Sequence, residues 1–257
     1  MKTDLEKIIK HENDNWSKIF QSELENTNDR KFSSFWWRDY YEEISNYIDE
    51  IMFKNGFNKI LEAGSGSGKA TILLDKSFSK TLLDISPVAL KYAKYLANKF
   101  EAGNINFIEG NILSMPLKDN SFNFVWNIGV IEHYNFDSIK SIIREMIRVC
   151  SENGIVAVGI PNFYSGPILK ARLLKLFKFI PGYRIDTEKF YKAKGIENLF
   201  QDISNEFRRK IVYVKTEYFG NPLIMETPKF VLKTIGKLVS RLFVRSKFLL
   251  LITCKFE

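Results

Sequence analysis

The stretch NKILEAGSGSGKAT, residues 58–71, decides the fold of this chain. The apolar residues before Glu62 predict the end of a buried strand. Gly64, Gly66 and Gly68 then alternate with serine, and a helical run follows. Glycine at this spacing lets a strand turn tightly into a helix and lets a ligand lie against bare backbone. The N-terminus of that helix would present its N–H groups and positive dipole end to the ligand.

The spacing of the loop separates three kinds of ligand. A phosphate-binding P-loop requires Gly, four further residues and Gly-Lys-Ser/Thr, but Ala63 and Ala70 stand at its two ends. A dinucleotide fingerprint requires Gly or Ala five residues after the first Gly, where this chain has Lys69 or Thr71. The remaining pattern is an acid at Glu62 followed by three alternating glycines. A glycine-rich turn without a ligand is the alternative for the loop taken alone.

Length and composition fit one α/β domain with additions. At 257 residues the chain can bury a full core. Its two cysteines, Cys150 and Cys254, provide neither a disulfide framework nor a metal-ligand cluster. The charged N-terminus is unlike a signal peptide, and the apolar run 248–254 is too short to span a membrane. We therefore expect a cytoplasmic protein.

The net charge of +8 is concentrated in the last third of the chain. Residues 166–257 contain 19 Lys or Arg against 8 Asp or Glu, whereas residues 1–165 contain 19 against 22. Within the basic part, residues 168–180 and 229–245 both predict basic amphipathic helices. The second has an apolar stripe and a basic stripe, which are Val231, Ile235, Leu238 and Leu242, and Lys229, Lys233, Lys237, Arg241 and Arg245. Such helices suit an anionic membrane surface, an acidic acceptor, or a solvated face over the sheet.

The N-terminal residues 1–53 predict helices that are rich in aromatic side chains. An apolar stripe at helical spacing is usually part of a core. The alternative is a lid whose aromatic residues close over a ligand, with Trp36, Trp37 and Arg38 as the best candidates. Arg38 is included because a guanidinium can pair with a carboxylate through two hydrogen bonds.

Strand-like and helix-like runs alternate after the glycine loop. Further strands are predicted at 80–84, 104–109, 120–127, 154–161, 210–218 and 248–256. Five β-then-α units imply a parallel sheet with helices on both faces, which binds ligands beyond the carboxyl ends of its strands. We therefore predict a doubly wound, Rossmann-like α/β fold with a mostly parallel, seven-stranded sheet.

Asp84 is the candidate ribose-binding residue. It stands 20 residues after Gly64, at the end of the second predicted strand. An acid at that place can hydrogen-bond the two hydroxyls of a ribose. Its alternative role is to cap the helix that begins near Ser86. The agreement of loop, strand and spacing favours ribose binding.

Further segments follow in order: LLDISPVALKYA around the second strand and EGNILSMPLKDNSFNFVWNIGVIEH over the next two. With the glycine loop they resemble the motifs of class I S-adenosylmethionine-dependent methyltransferases across about residues 58–160. The resemblance implies S-adenosyl-L-methionine as cofactor and S-adenosyl-L-homocysteine as product, with the ribose on Asp84. Ile85 and Ile112 would then sandwich the adenine ring. Asn111, commonly Asp in the family, would accept from the adenine amino group.

The resemblance also implies contacts at the methionine end of the cofactor. Glu62 and Gly64 would flank its amino group, and Asn127 and Gly129 would lie beside it. The whole predicted cofactor set is Glu62, Ala63, Gly64, Ser65, Gly66, Gly68, Asp84, Ile85, Asn111, Ile112, Asn127, Gly129, Arg38 and Trp37. The implied divisions are an N-terminal helical lid at 1–53, a cofactor-binding core at 54–160, and the remaining strands with acceptor-side helical insertions at 161–257.

Glu132 and His133 are the candidate catalytic residues, because they follow the fourth predicted strand at the mouth of the site. A sulfonium donor is already electrophilic, so a base is required only when the acceptor must lose a proton. The pKa range of histidine suits that task, whereas the alternative is a solvent-facing or capping residue at a helix start. A Glu-His pair also resembles the Glu-x-x-Glu-His metal ligands of some methyltransferases. Gly129 replaces the first Glu, so we predict no metal.

The predicted acceptor is a small or lipophilic metabolite, methylated at a hydroxyl oxygen. Enzymes of this fold that methylate nucleic-acid amino groups carry Asn/Asp-Pro-Pro-Tyr/Phe after the fourth strand, where this chain has NIGV at 127–130. We therefore predict no DNA partner and do not favour RNA. An RNA-directed methyltransferase and a non-catalytic cofactor-binding protein remain as alternatives, and peripheral contact with an anionic membrane is a further expectation.

Overall fold

The centre of the molecule is a seven-stranded sheet. The structure is a computed structural model that describes residues 2–25, 32, 34–176 and 188–257. Its strands are β1 Lys59–Ala63, β2 Ser79–Asp84, β3 Ile105–Glu109, β4 Phe122–Ile128, β5 Cys150–Pro161, β6 Ile211–Phe219 and β7 Leu249–Phe256. They lie in the order β3-β2-β1-β4-β5-β7-β6. β1 to β5 pair in parallel, and β7 runs antiparallel to both β5 and β6.

Helices cover both faces of this sheet. They are α1 Lys2–Glu25, α2 Phe35–Lys54, α3 Lys69–Ile72, α4 Pro87–Lys99, α5 Phe136–Val149, α6 Gly166–Leu176, α7 Ala193–Glu206, α8 Lys229–Val231 and α9 Lys237–Leu242. Strand side chains alternate between faces, so Leu61 of β1 packs in a buried cluster with α5 and α7, while Ile60 packs in a second cluster with α2. The predicted doubly wound, mostly parallel fold is confirmed.

The strand order reverses between β1 and β4. Ligands of open α/β sheets bind beyond the carboxyl ends of the strands at such a switch point. Two side-chain caps fix where the flanking helices begin: the Ser86 hydroxyl accepts from the Ala89 amide at 3.3 Å, and Asn135 Oδ1 accepts from the Ser138 amide at 2.9 Å. These caps fix the short segments that join β2 to α4 and β4 to α5, which flank the switch point.

One of the five predicted β-then-α units is wrong. Residues 110–121, which join β3 to β4, contain no helix. Asn111 instead forms an isolated bridge with Ser114, and Asn120 takes the left-handed conformation with φ 55°. Pro116 between them has no N–H to donate, which further opposes a regular helix over so short a connection.

The basic segment near the C-terminus also differs from its prediction. It is not one regular helix, because a π-helical turn, Leu232–Gly236, separates α8 from α9. The extra residue in this turn shifts the register of the helix. Leu232 and Gly236 are buried, whereas Ile235, Leu238 and Leu242 of the predicted apolar stripe are exposed.

The other predicted helical segments are described only in part. α6 ends at Leu176, and residues 177–180 of the predicted basic helix lie outside the described residues. Residues 26–31 and 33 of the predicted N-terminal helices also lie outside them. Across the ranges that the structure describes, each helix is too short or too polar to cross a bilayer.

Candidate active site

The glycine loop after β1 requires glycine for two different reasons. Gly64, Gly66 and Gly68 have φ values of 73°, 51° and 60°, which side-chain-bearing residues rarely adopt. A Cβ at Gly68 would lie 2.4 Å from Leu82 Cδ1, so this glycine lets α3 pack closely on β2. A Cβ at Gly64 would lie 3.0 Å from the side chain of Val130, at the cavity described below.

Asp84 supports the loop from the end of β2. Its Oδ2 accepts from the Gly66 amide at 2.7 Å, and its Oδ1 accepts from the Ser86 amide at 2.8 Å. Burial raises the pKa of the Asp84 carboxyl, and these backbone hydrogen bonds oppose that rise. The hydroxyl of Ser86, rather than the Asp84 carboxylate, caps α4. Of the two roles considered for Asp84, helix capping is therefore taken by its neighbour.

Glu62 is a buried acid at the end of β1. The Thr71 hydroxyl donates to Glu62 Oε2 at 2.5 Å. Burial raises the pKa of Glu62 to about 8, the Thr71 hydrogen bond lowers it, and the charge of Asp84 raises it further. A carboxyl held in this way is stabilised in its ionised form by a cationic ligand.

A cavity of about 550 Å³ opens beyond the carboxyl ends of β1, β2 and β4. It brings together twelve of the residues predicted for the site, which are Trp37, Glu62, Gly64, Ser65, Gly66, Asp84, Ile85, Asn111, Ile112, Gly129, Glu132 and His133. Asn111 Oδ1 accepts from the Leu113 amide at 2.9 Å, which fixes the orientation of this side chain. The cavity therefore collects polar groups from the ends of four neighbouring strands, β1 to β4.

Four predicted cofactor residues do not line the cavity. Ala63 is fully buried in the core, and Gly68 contacts Leu82 instead. Asn127 is also fully buried, and its Nδ2 donates to Met146 Sδ of α5 at 3.3 Å. Because strand residues alternate between faces, Asn127 is directed beneath α5 and away from the strand end.

Arg38 does not line the cavity, for the same kind of reason. Trp37, Tyr40 and Tyr41 line the cavity at helical spacing, so the residue after Trp37 points elsewhere. Arg38 Nε donates to Glu42 at 2.5 Å on the outer surface of α2. Trp36, the other lid candidate, is buried, and its Nε1 donates to the Leu223 carbonyl at 2.9 Å.

Helix α1 supplies a wall of the cavity that the sequence prediction missed. The residues that line it are Asn13, Trp16, Phe20 and Glu23. Phe20 Cζ lies 3.0 Å from the position of a Cβ at Gly66. Lys69 Nζ, which is buried, contacts Glu23 Oε2 at 3.0 Å, and the Ser17 and Ser86 hydroxyls are 2.8 Å apart. The i, i+3, i+7, i+10 spacing of the four lining residues was a signal that could have found this face.

The far end of the cavity is apolar and comes from the C-terminal part of the chain. Met225, Phe248 and Leu249 line it. Phe248 packs edge-on against Trp37 and Tyr40, with ring centroids 5.7 and 5.5 Å apart. No motif in the sequence connects these residues to the glycine loop, because only the fold brings them together.

Glu132 and His133 lie on a short 3₁₀ turn, Ile131–His133, between β4 and α5. Both line the cavity; Glu132 is buried and His133 is half-buried. The Trp16 ring meets the His133 ring edge-on at a centroid distance of 6.1 Å. Within the described ranges, no three His, Cys, Asp or Glu side chains are grouped to hold a metal ion. The expectation that no metal takes part stays a prediction.

The strand order and the cavity at its switch point define a Rossmann-like fold, which solved methyltransferases share. Residues 61–158 match the family model described as "Methyltransferase domain". The chain is an S-adenosylmethionine-dependent methyltransferase, and its cofactor is S-adenosylmethionine.

Several known proteins are similar to this chain. An uncharacterized protein of Methanocaldococcus jannaschii is 29% identical over 223 residues, 80% of this chain and 86% of that protein. An O-methyltransferase of Aspergillus nomiae is 24% identical over 149 residues, 54% of this chain but only 64% of that enzyme. Magnesium protoporphyrin IX methyltransferase from Synechocystis PCC 6803, solved with bound S-adenosylhomocysteine, has a TM-score of 0.58 at 13% identity, covering 94% of this chain and 100% of that chain. At 13% identity, the similarity to the Synechocystis enzyme shows a shared fold alone.

The residues of the glycine loop fit this cofactor. The buried hydroxyl of Ser65 lines the cavity and has no hydrogen-bond partner within the described part of the chain. A buried polar group without a partner is costly, so a ligand with polar atoms is favoured here. Glu62 suits a cationic group, and Asp84 suits neighbouring hydroxyls.

Proposed function

We propose that this enzyme methylates a hydroxyl oxygen of a small or lipophilic metabolite. The observation that carries the proposal is that His133 shares one cavity with Asp84 at the polar end and with Phe248 at the apolar end. The similarity to an O-methyltransferase of Aspergillus nomiae supports oxygen as the target. The fold that it shares with a magnesium protoporphyrin IX methyltransferase agrees with a small-molecule acceptor.

The cofactor is held by the polar end of the cavity. Asp84 accepts from the ribose hydroxyls, and Glu62, in its ionised form, binds the amino group. Ile85 and Ile112 enclose the adenine ring, and Asn111 accepts from its amino group. Ala63, Gly68, Asn127 and Arg38 take no direct part, since they do not line the cavity.

The acceptor is held by the apolar end. Trp37, Tyr40, Met225 and Phe248 present large apolar surfaces to the cavity. A lipophilic molecule gains free energy when such surfaces remove it from water. The same surfaces exclude water from the reacting groups, which suppresses hydrolysis and strengthens electrostatic interactions inside the site.

His133 removes the proton of the acceptor hydroxyl. When bound, the cofactor supplies an activated methyl group on a sulfonium. A neutral hydroxyl is a weak nucleophile, so a base within hydrogen-bond reach accelerates its reaction. An imidazole can accept a proton near neutral pH, and the His133 side chain lines the cavity. Buried Glu132 acts beside it and stabilises the imidazolium that forms.

The test begins with a screen for acceptors, in which tritiated S-adenosylmethionine is incubated with cell extract and alcohol- or phenol-bearing metabolites. On the acceptor that is found, His133→Ala should lower kcat by about 10²- to 10⁴-fold. Its affinity for S-adenosylhomocysteine, measured by titration calorimetry, should stay within about twofold. Arg38→Ala, on the outer surface of α2, is the control and should keep full activity.

Other outcomes would replace this proposal. Labelled RNA as the main product would support an RNA-directed enzyme, whereas cofactor binding without any methyl transfer would support a non-catalytic binding protein. A His133→Ala enzyme with normal kcat would remove His133 as the base while leaving the methyltransferase class intact. The lid, core and acceptor-side divisions at 1–53, 54–160 and 161–257, and the cytoplasmic location, stay part of the proposal.

A further inference from the structure

The C-terminal basic segment, residues 229–247, forms a surface that is both apolar and positively charged. It contains six Lys or Arg and no Asp or Glu. Ile235, Leu238 and Leu242 are 52%, 57% and 69% exposed. Leu238 and Leu242, four residues apart in α9, share one face of that helix. Phe230, Phe243 and Val244 are also exposed. Monomeric proteins rarely expose a continuous apolar surface unless something binds there.

The cations of this segment alternate along the chain with its exposed apolar residues. Five exposed cations recur every four residues, at Lys229, Lys233, Lys237, Arg241 and Arg245. The ammonium groups of Lys229 and Lys233 lie over the Phe35 ring at 5.7 and 5.6 Å. On α2, Glu43 pairs with Lys247, and Asp39 interacts with Lys237. These acids offset only part of the positive charge.

We propose that the C-terminal basic segment docks on the surface of an anionic lipid bilayer. Helices with an apolar face and a basic flank lie in the interface, with the apolar side chains buried at the boundary between headgroups and acyl chains. Long Lys and Arg side chains reach from there to the headgroups, and each adds an electrostatic attraction. Leu238 and Leu242 would enter the interface, while Arg241 and Arg245 would contact lipid phosphates.

A bilayer fits this surface better than the other occupants. In a symmetric contact with a second copy of the chain, the row of cations would face its own like charges. RNA would neutralise those cations but would leave Ile235, Leu238 and Leu242 exposed to water, because bases stack on aromatic rather than aliphatic side chains. An anionic membrane satisfies both properties at once.

The position of the segment relative to the cavity adds a functional consequence. Met225 precedes it in the chain, and Phe248 and Leu249 follow it directly; all three line the apolar end of the cavity. Docking would therefore bring the apolar end of the cavity close to the bilayer, where a lipophilic molecule could enter without crossing water. The inference goes beyond the proposed reaction, because membrane binding is measured without turnover.

The experiment is vesicle flotation of the full chain with two lipid compositions, phosphatidylcholine alone and phosphatidylcholine mixed with phosphatidylglycerol. The wild-type chain should float with the anionic vesicles only, and added salt should weaken binding. Lys233→Gln/Arg241→Gln should lower affinity by about 30-fold, since each cation contributes about fivefold. Ile235→Ser/Leu238→Ser/Leu242→Ser should lower it by about 100-fold or more.

Matched variants control for charge, apolarity and folding. Lys91→Gln/Lys94→Gln removes two exposed charges of α4, and Val212→Ser removes an exposed apolar residue of β6; both should float as the wild type does. Each variant should keep the thermal unfolding midpoint and the S-adenosylhomocysteine affinity of the wild type. The proposal would be overturned if the wild-type chain did not float, or if the α4 control lost as much vesicle affinity as the double glutamine variant. It would also be overturned if the chain bound RNA saturably instead of vesicles, or if it formed a dimer that the triple serine variant dissociates.

Discussion

The two ends of the cavity are built in different ways. The polar end uses residues from one continuous stretch, 62–133, in which successive strands deliver short polar side chains and bare backbone to the switch point. The apolar end uses Trp37 from α2, Met225 after β6 and Phe248 before β7, which are far apart in the chain. A local motif can therefore define the first end, whereas only tertiary packing defines the second.

This difference has a consequence for mutation. At the polar end, groups such as the Asp84 carboxylate make directional hydrogen bonds, which are lost completely when the group is removed. At the apolar end, Trp37 packs on Tyr40 and Phe248, so the surface can rearrange around a lost side chain. Substitutions at the polar end should therefore affect cofactor binding steeply, while those at the apolar end should affect acceptor binding gradually.

Asp84→Ala should have the largest effect on cofactor affinity. It removes the acceptor for the ribose hydroxyls and for the Gly66 and Ser86 amides, and charged hydrogen bonds contribute about 1.5–3 kcal/mol each. The dissociation constant of S-adenosylhomocysteine should increase about 100-fold or more in titration calorimetry. Glu109→Ala is the matched control, because exposed Glu109 pairs with Asp84 in the sheet register. Equal affinities for the two variants would contradict a polar end centred on Asp84.

Glu62 should make cofactor affinity depend on pH. With a pKa of about 8, its carboxyl is largely protonated at neutral pH in the ligand-free protein. A bound ammonium group favours the carboxylate, so binding releases a proton below pH 8. The affinity for S-adenosylhomocysteine should rise by at most about tenfold per pH unit and level off above pH 8. Titrations in two buffers of different ionisation enthalpy measure the released proton.

Glu62→Gln tests separately how Glu62 affects proton release on cofactor binding and how it affects the free energy of unfolding. Between the ordinary pKa of 4.5 and about 8, the folded chain binds more protons at Glu62 than the unfolded chain does. Its contribution to the free energy of unfolding therefore falls as pH rises through that range. At about pH 8 the variant should show a ligand-free Tm about 5 °C above wild type while releasing no proton on binding. Proton release that persists in this variant would assign the effect to another group.

The contrast between the two ends also explains how far the sequence could predict the site. Gly64, Asp84 and His133 could be found because strand, turn and helix signals fix which residues stand at strand ends. Asn127 and Arg38 were wrongly assigned to the cavity, because the direction of a side chain depends on the phase of its strand or helix. A shift of one residue is invisible in a motif.

The fold was likewise predictable only in part. The five parallel strands were predictable from apolar runs bounded by turn residues. β1, β2, β4 and β5 are largely buried on both faces, whereas the edge strand β3 is only partly buried. The π-helical turn at Leu232–Gly236 was not predictable, because periodicity assumes a regular helix. Ile235, Leu238 and Leu242 of the predicted apolar stripe are exposed.

Trp37→Ala should have the smallest effect, and it tests the apolar end directly. Loss of its ring removes apolar contact from the cavity, so the KM of the acceptor should rise about fivefold, with the S-adenosylhomocysteine affinity unchanged. Trp37→Phe should restore most of the KM, because a smaller ring can still pack on Phe248. Arg38→Ala, one residue further along α2, should change neither quantity by more than about twofold. If Trp37→Ala instead weakened cofactor binding as strongly as Asp84→Ala, the two ends would not be separate, and the cofactor would extend across the whole cavity.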